Sequence, residues 1–180
     1  MITQTDFIIL DFIQSHMRSN AMDIIMKCIT ALGDHGILFI ALTLVLLILP
    51  KTRQCGKCMT IAMATGFLMC NLILKNAIGR IRPYEIAQFP IIVAELSDYS
   101  FPSGHTTFSF LIATVLLAFY KKWGIFAFIT AFLIGFSRLY LYVHYPTDVA
   151  AGALLGILIG LAAVKIYSKF TSKNKITQKI

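Results

Sequence analysis

The stretch Arg138-Leu-Tyr-Leu-Tyr-Val-His144-Tyr-Pro-Thr-Asp148 sets a fixed cation, an imidazole and a carboxylate beside a long apolar segment. Ionisable groups in such sequence cost roughly 2.5–3.5 kcal/mol each on insertion into a bilayer, which marks them as functional candidates. His144 and Asp148 are four residues apart and share a face if the stretch is helical. An imidazole held by a carboxylate is the core of a nucleophile or general-base device. A loop histidine beside a helix-capping Asp148 is the structural alternative, and on this stretch alone both stand.

Two further blocks carry chemistry. Lys75-Asn-Ala-Ile-Gly-Arg80-Ile-Arg82-Pro83 holds three cations, with Arg82 fixed in front of a proline. Ser100-Phe-Pro-Ser103-Gly104-His105 opens an apolar run. Its Pro102 suits a first helical turn, and Ser103 and Gly104 let a ligand approach free backbone N–H groups, a ready anion site. Lys75, Arg82, Arg138, Ser103 and the Gly104 amide could surround a tetrahedral oxyanion, with arginine supplying bidentate donors. Two histidines, His105 and His144, then offer complementary roles as nucleophile and as acid for a leaving oxygen. A cationic pocket of this kind would repel a metal, so neither metal nor cofactor is expected. Taken singly, Lys75 and Arg82 also read as snorkelling cations and Ser103 as a cap.

The elements that must position these groups are membrane spans. The 180 residues are 58% hydrophobic and 13% charged, and the mean hydropathy is +0.79, which a soluble domain of this size does not show. The formal charge of +8 therefore points to basic loops facing anionic lipid rather than to nucleic acid. Phe7–Ile13 lacks a preceding cationic region and is interrupted by Asp11, unlike a cleaved signal peptide. Cys55 and Cys58 form a lone CxxC without a second ligand pair, so all four cysteines are expected as free thiols.

Along the chain, Asp6 is expected to cap a short interfacial helix within residues 1–20. A first span joins part of Ile24–Leu32 to Gly36–Leu49, with Gly33-Asp34-His35-Gly36 as a break. There Asp34 and His35 are either a satisfied polar kink or the rim of a site. Further spans fall near Cys58–Leu74, Gly104–Tyr120, Trp123–Phe136 and Val149–Tyr167. Gly152, Gly156 and Gly160 let another helix come close. The fold class is thus all-α: a polytopic bundle of about five spans plus an N-terminal interfacial helix. It forms one membrane-embedded domain over residues 1–180, with a core at 58–168 and a basic cytoplasmic tail at 169–180. The positive-inside rule puts Lys51, Arg53, Lys57, Lys121, Lys122 and the tail in the cytoplasm. All three chemical blocks then fall together on the outer face.

The three blocks resemble the type 2 phosphatidic acid phosphatase family, whose superfamily includes vanadium haloperoxidases and glucose-6-phosphatase. Its signature of Lys-x6-Arg-Pro, Pro-Ser-Gly-His and Ser-Arg-x5-His-x3-Asp is complete as Lys75 to Pro83, Pro102 to His105, and Ser137 to Asp148. The resemblance implies a metal-independent phosphatase working through a phosphohistidine. His144 would be the nucleophile, Asp148 its orienting partner, and His105 the acid and then the base. Lys75, Arg82, Arg138, Ser103 and Gly104 would hold the phosphate. A bell-shaped pH profile is expected. Members commonly have six spans where five are counted here.

An outward-facing site in the plasma membrane favours lipid carriers of envelope synthesis. Undecaprenyl pyrophosphate is the first expected substrate, with phosphatidylglycerol phosphate, phosphatidic acid and diacylglycerol pyrophosphate as alternatives. Arg80, Tyr84 and Glu85 are candidates for head-group contacts or for surface anchoring. Partners are the lipid phosphate and membrane lipid, with no nucleic acid and no obligate protein partner. A non-catalytic lipid-phosphate binder or transporter is the rival class, although it would need only the cations.

Overall fold

The computed structural model describes the backbone of residues 2–177 and the side chains of residues 4–171. Among the described residues the regular structure is entirely helical and about 80% of them lie in helices. In order these are α1 (Ile2–Met17), α2 (Asn20–Ala31), α3 (Ile37–Ile48), α4 (Arg53–Gly66), α5 (Lys75–Ile78), α6 (Pro83–Ala87), α7 (Gly104–Phe119), α8 (Lys121–Tyr140) and α9 (Pro146–Thr177). A 3-10 turn at Asp34–Gly36 joins α2 to α3, and a π-helical segment at Phe67–Leu74 carries α4 into α5. Residues 178–180 of the basic tail lie outside the described residues, as do the side chains of 172–177.

Four stretches are long and apolar enough to cross a membrane: Asn20–Ile48, Arg53–Ala87, Lys121–Tyr140 and Pro146–Thr171. Gly104–Phe119 is a shorter apolar helix. It sits at the centre, packed against both α8 and α9, and ten of its residues are buried. The outer helices invert the pattern of a soluble bundle. Ile37, Ile48, Phe126, Phe132 and Leu154 are exposed, and only 22–39% of each spanning window is buried inside the protein. Hydrocarbon is the solvent that such outward faces fit.

The expected break in the first span is present. Ser19 caps α2 by accepting from the Met22 N–H at 3.3 Å. His35 and Gly36 then take left-handed φ values of 53° and 67°, which stop one helix and restart another. Asp6 departs from its expected role as a cap. It lies inside α1, is buried, and accepts from the Thr147 N–H at 3.1 Å and from Arg80 Nη2 at 2.7 Å. A buried carboxylate needs a charged partner, and that requirement outweighs a local cap hydrogen bond. Arg138 differs too: α8 runs on to Tyr140, so Arg138 belongs to its last turn rather than to a loop. A cation is favoured there by the helix dipole.

The glycine series on α9 meets α7 along one line. A Cβ at Gly156 would stand 2.3 Å from the Thr107 carbonyl oxygen and one at Gly160 2.7 Å from Thr114 Cβ. Gly156→Leu is expected to separate the two helices and destabilise the fold by about 3 kcal/mol. The thermal midpoint in detergent would show it; a midpoint equal to wild type would mean that this packing is not tight.

Candidate active site

The three blocks arrive from three directions and meet at one end of the bundle. The π-helical turns deliver Lys75 to the start of α5, and Gly79, with φ 61°, ends that helix at once. Arg82 follows in extended backbone because Pro83 opens α6. Lys75 and Arg82 are not snorkelling cations, since their side chains are only 8% and 2% exposed. Arg82 donates from Nη1 to the Val143 carbonyl at 2.8 Å, from Nη2 to Asp98 Oδ1 at 2.6 Å and from Nε to the Asp98 carbonyl at 2.9 Å. Lys75 Nζ pairs with the other Asp98 oxygen. Arg138 donates from Nη1 to the Thr30 hydroxyl, while its buried Nε has no protein partner. A buried N–H donor left open in this way is suited to an incoming acceptor.

His144 lies in the turn between α8 and α9 rather than on a helix with Asp148. Pro146 starts α9, which puts Asp148 in its first turn. Tyr142, at φ 60°, bends the chain before His144 and is held by a hydrogen bond to Asp11 Oδ1 at 2.7 Å. The pairing survives: His144 Nδ1 is 3.5 Å from Asp148 Oδ2. Ser100 Oγ stands between them, 3.4 Å from Nδ1, and donates to the same Asp148 oxygen. Asp148 also accepts from the Tyr145 N–H at 3.0 Å, so one carboxylate both caps α9 and stands beside the imidazole. With the proton on Nδ1 toward Asp148, Nε2 carries the lone pair and accepts from Arg82 Nη1 at 3.4 Å. The imidazole therefore turns Nε2 toward Arg82.

Burial, aided by the Arg82 and Arg138 charges and opposed by Asp148, pushes the His144 pKa down to about 3. Asp98 is also depressed, to about 2, because Lys75 and Arg82 outweigh the burial that would raise it. His144 then stays neutral far below the ordinary imidazole range, and the acid limb of kcat/KM is expected well under pH 6.5. The unfolded chain takes up a proton at His144 near the free imidazole value of 6.5, whereas the folded chain does so only near 3. This group accordingly removes stability as pH falls through that window. Thermal midpoints against pH would check it: wild type should lose stability more steeply there than His144→Gln. The Asp98 pair is lost only lower, between its ordinary 3.8 and about 2.

His105 stands in the first turn of α7 and its Nε2 lies 2.9 Å from Asp34 Oδ1, which brings the polar break of the first span onto the rim of the cavity. Gly33 makes room for it, since a Cβ there would meet His105 Cδ2 at 2.5 Å. Ser103 is fully buried; its N–H donates to the Asp148 carbonyl at 3.2 Å and its hydroxyl accepts from Thr106 at 2.9 Å. Gly104, by contrast, faces an open cavity of about 750 Å³. That cavity is lined at one end by Lys75, Arg82, His105, Arg138 and His144, and continues past Phe39, Leu44, Leu47, Met63 and Phe67 between α3 and α4.

Arg80, Tyr84 and Glu85 line a separate cleft of about 630 Å³. Of these, Arg80 is turned inward: Nη1 donates to Asp148 Oδ1 at 2.6 Å and to Thr147 at 2.7 Å, Nη2 pairs with Asp6, and the guanidinium covers the Tyr145 ring. Tyr84 packs its hydroxyl against the Leu96 backbone. Asp98, Ser100 and Thr30 join the site without having been singled out in the sequence.

The fold is thus a membrane helical bundle that buries three cations, Lys75, Arg82 and Arg138, beside a histidine paired with a carboxylate. The chain belongs to the PAP2 superfamily, whose family model matches residues 55–172. It is 34% identical over 134 residues to the bacitracin transport permease protein BcrC of Bacillus licheniformis, covering 72% of this chain and 66% of that one. It is 35% identical over 133 residues to an undecaprenyl-diphosphatase of Sulfolobus acidocaldarius, covering 72% and 64%. The chain thus spans about two thirds of the length of these curated relatives. A solved PAP2-type phosphatidylglycerolphosphate phosphatase from Bacillus subtilis superposes with a TM-score of 0.78 at 31% identity, over 93% of this chain and 87% of that one.

Proposed function

We propose that this chain is a membrane lipid-phosphate phosphatase that removes a terminal phosphate through a phosphohistidine on His144. The observation that carries the reading is His144 Nε2 set 3.4 Å from Arg82 Nη1 in a cavity that Lys75 and Arg138 also line. Lys75, Arg82 and Arg138 would take the phosphoryl oxygens, with the Gly104 amide at the N-terminus of α7. Nε2 would attack phosphorus as the bond to the leaving oxygen breaks, and His105 would protonate that oxygen. Water, deprotonated by His105, would then cleave the P–N bond and release inorganic phosphate. Asp148 would keep Nδ1 protonated throughout.

The lipid chain would lie in the apolar continuation of the cavity between α3 and α4, beside Phe39, Leu44 and Met63. Undecaprenyl pyrophosphate, cleaved to the monophosphate, is the favoured substrate, in keeping with the names of two relatives, from Sulfolobus acidocaldarius and Bacillus subtilis. Phosphatidylglycerol phosphate comes next, in keeping with a third. The basic loops argue for a plasma-membrane location with the site on the extracytoplasmic side. Phosphate release from undecaprenyl pyrophosphate, phosphatidylglycerol phosphate and phosphatidic acid in mixed micelles tests the proposal. The first should give the highest kcat/KM, and release from none of them would overturn it. The rival reading as a transporter is prompted by the permease name of one relative. It requires lipid-phosphate binding without phosphate release, for which the His105, His144 and Asp148 set is superfluous.

A further inference from the structure

Asp98 lies on the irregular segment between α6 and α7, and its side chain is 52% exposed. Even so, both carboxylate oxygens point inward. One meets Arg82 Nη2 at 2.6 Å and the other meets Lys75 Nζ. A planar anion bridging a buried guanidinium and a buried ammonium occupies the positions that two oxygens of a bound phosphoryl group would take. A third cation, Arg138, also lines this cavity, and its buried Nε has no protein partner. Asp98 and Leu96 also line both the catalytic cavity and the cleft that holds Glu85 and Gln88, so together they form the wall between the two spaces.

We propose that Asp98 is a built-in competitor, an anion that neutralises Lys75 and Arg82 in the empty site and must be displaced by the phosphoryl group. The inference rests on the phosphate-binding reading of those two cations. Its physical logic is that two buried cations without a counter-charge repel one another and are poorly solvated. A half-exposed carboxylate on a segment outside any helix satisfies them and can still swing into water. A monoanionic ligand would only replace one negative charge with another. A phosphate monoester or pyrophosphate brings surplus charge, so Asp98 makes the site selective for highly charged head groups. Its departure would also open the wall toward the outer cleft.

The test uses the full chain in detergent with inorganic phosphate as the probe. Affinity is read from the phosphate-dependent rise in thermal midpoint and from inhibition of lipid-phosphate hydrolysis. Asp98→Asn and Asp98→Ser should both bind phosphate about tenfold tighter than wild type, as expected on removing a charged hydrogen-bonded competitor. KM for the lipid substrate should fall in parallel. If Asp98→Asn fails to fold, Asp98→Ser carries the same comparison. Affinity equal to or weaker than wild type in the folded variants would overturn the proposal and make Asp98 a prop that holds the cations in place. Failure of the underlying reading has a different signature, and overturns both: wild type would not respond to phosphate, and Arg82→Ala would change nothing.

Discussion

His144→Ala is expected to reduce phosphate release from every hydrolysed lipid by about 10⁴-fold or more, the usual scale for loss of a nucleophile that acts as part of a unit. The environment of the ring explains why no neighbour can take over. His105 is engaged by Asp34 through Nε2, and Ser100 is committed to Asp148. The side chain removed is fully enclosed, and Arg82 would be left facing a void where Nε2 stood. Phosphate affinity should be largely kept, because Lys75, Arg82 and Arg138 remain. Brief exposure to a ³²P-labelled substrate followed by an alkaline quench should label wild type and leave the variant unlabelled. A variant that retained label, or cleaved every substrate as wild type does, would remove His144 from the role of nucleophile.

The candidate site residues are legible in the sequence because their types are expensive in apolar surroundings. Lys75, Arg82, Arg138, His144 and Asp148 each interrupt or border a hydrophobic run, and charge topology alone gathered them on one face. The break at Gly33–Gly36 was legible for a similar reason, since Gly36–Leu49 is too short to cross on its own. Groups whose role depends on distant parts of the chain were not. Thr30 reaches Arg138 across 108 positions and Asp6 reaches Thr147 across 141, and a threonine or an N-terminal aspartate carries no local sign of such a partner. Asp98 sits two residues before the Ser100 block, yet only folding shows that its carboxylate turns back to Lys75 and Arg82. Arg80 shows the converse. Its sequence neighbours suggest a head-group contact, while the fold gives it two buried carboxylates.

Those buried carboxylates set up the second large effect. Asp148→Asn is expected to lower kcat by about 10³–10⁴-fold, comparable with the loss when the orienting aspartate of a serine-protease triad becomes asparagine. Asp148 accepts from Ser100, the Tyr145 N–H and Arg80, and lies 3.5 Å from His144 Nδ1. An amide has one accepting oxygen. Turned toward Ser100 and Tyr145, it points its NH₂ at the Arg80 guanidinium; turned the other way, it points a donor at Nδ1 and favours the tautomer that blocks Nε2. In the first case Arg80 keeps only Asp6 as a charged partner, and the imidazolium-like transition state loses its counter-charge. Phosphate should still bind, so the loss should fall on kcat with little change in the inhibition constant for phosphate. Ser100→Ala separates orientation from charge: it removes the hydroxyl beside Nδ1 but leaves the carboxylate, and should cost only about tenfold. Equal losses in the two variants would mean that the hydrogen-bond geometry around Asp148, rather than its charge, sustains the attack.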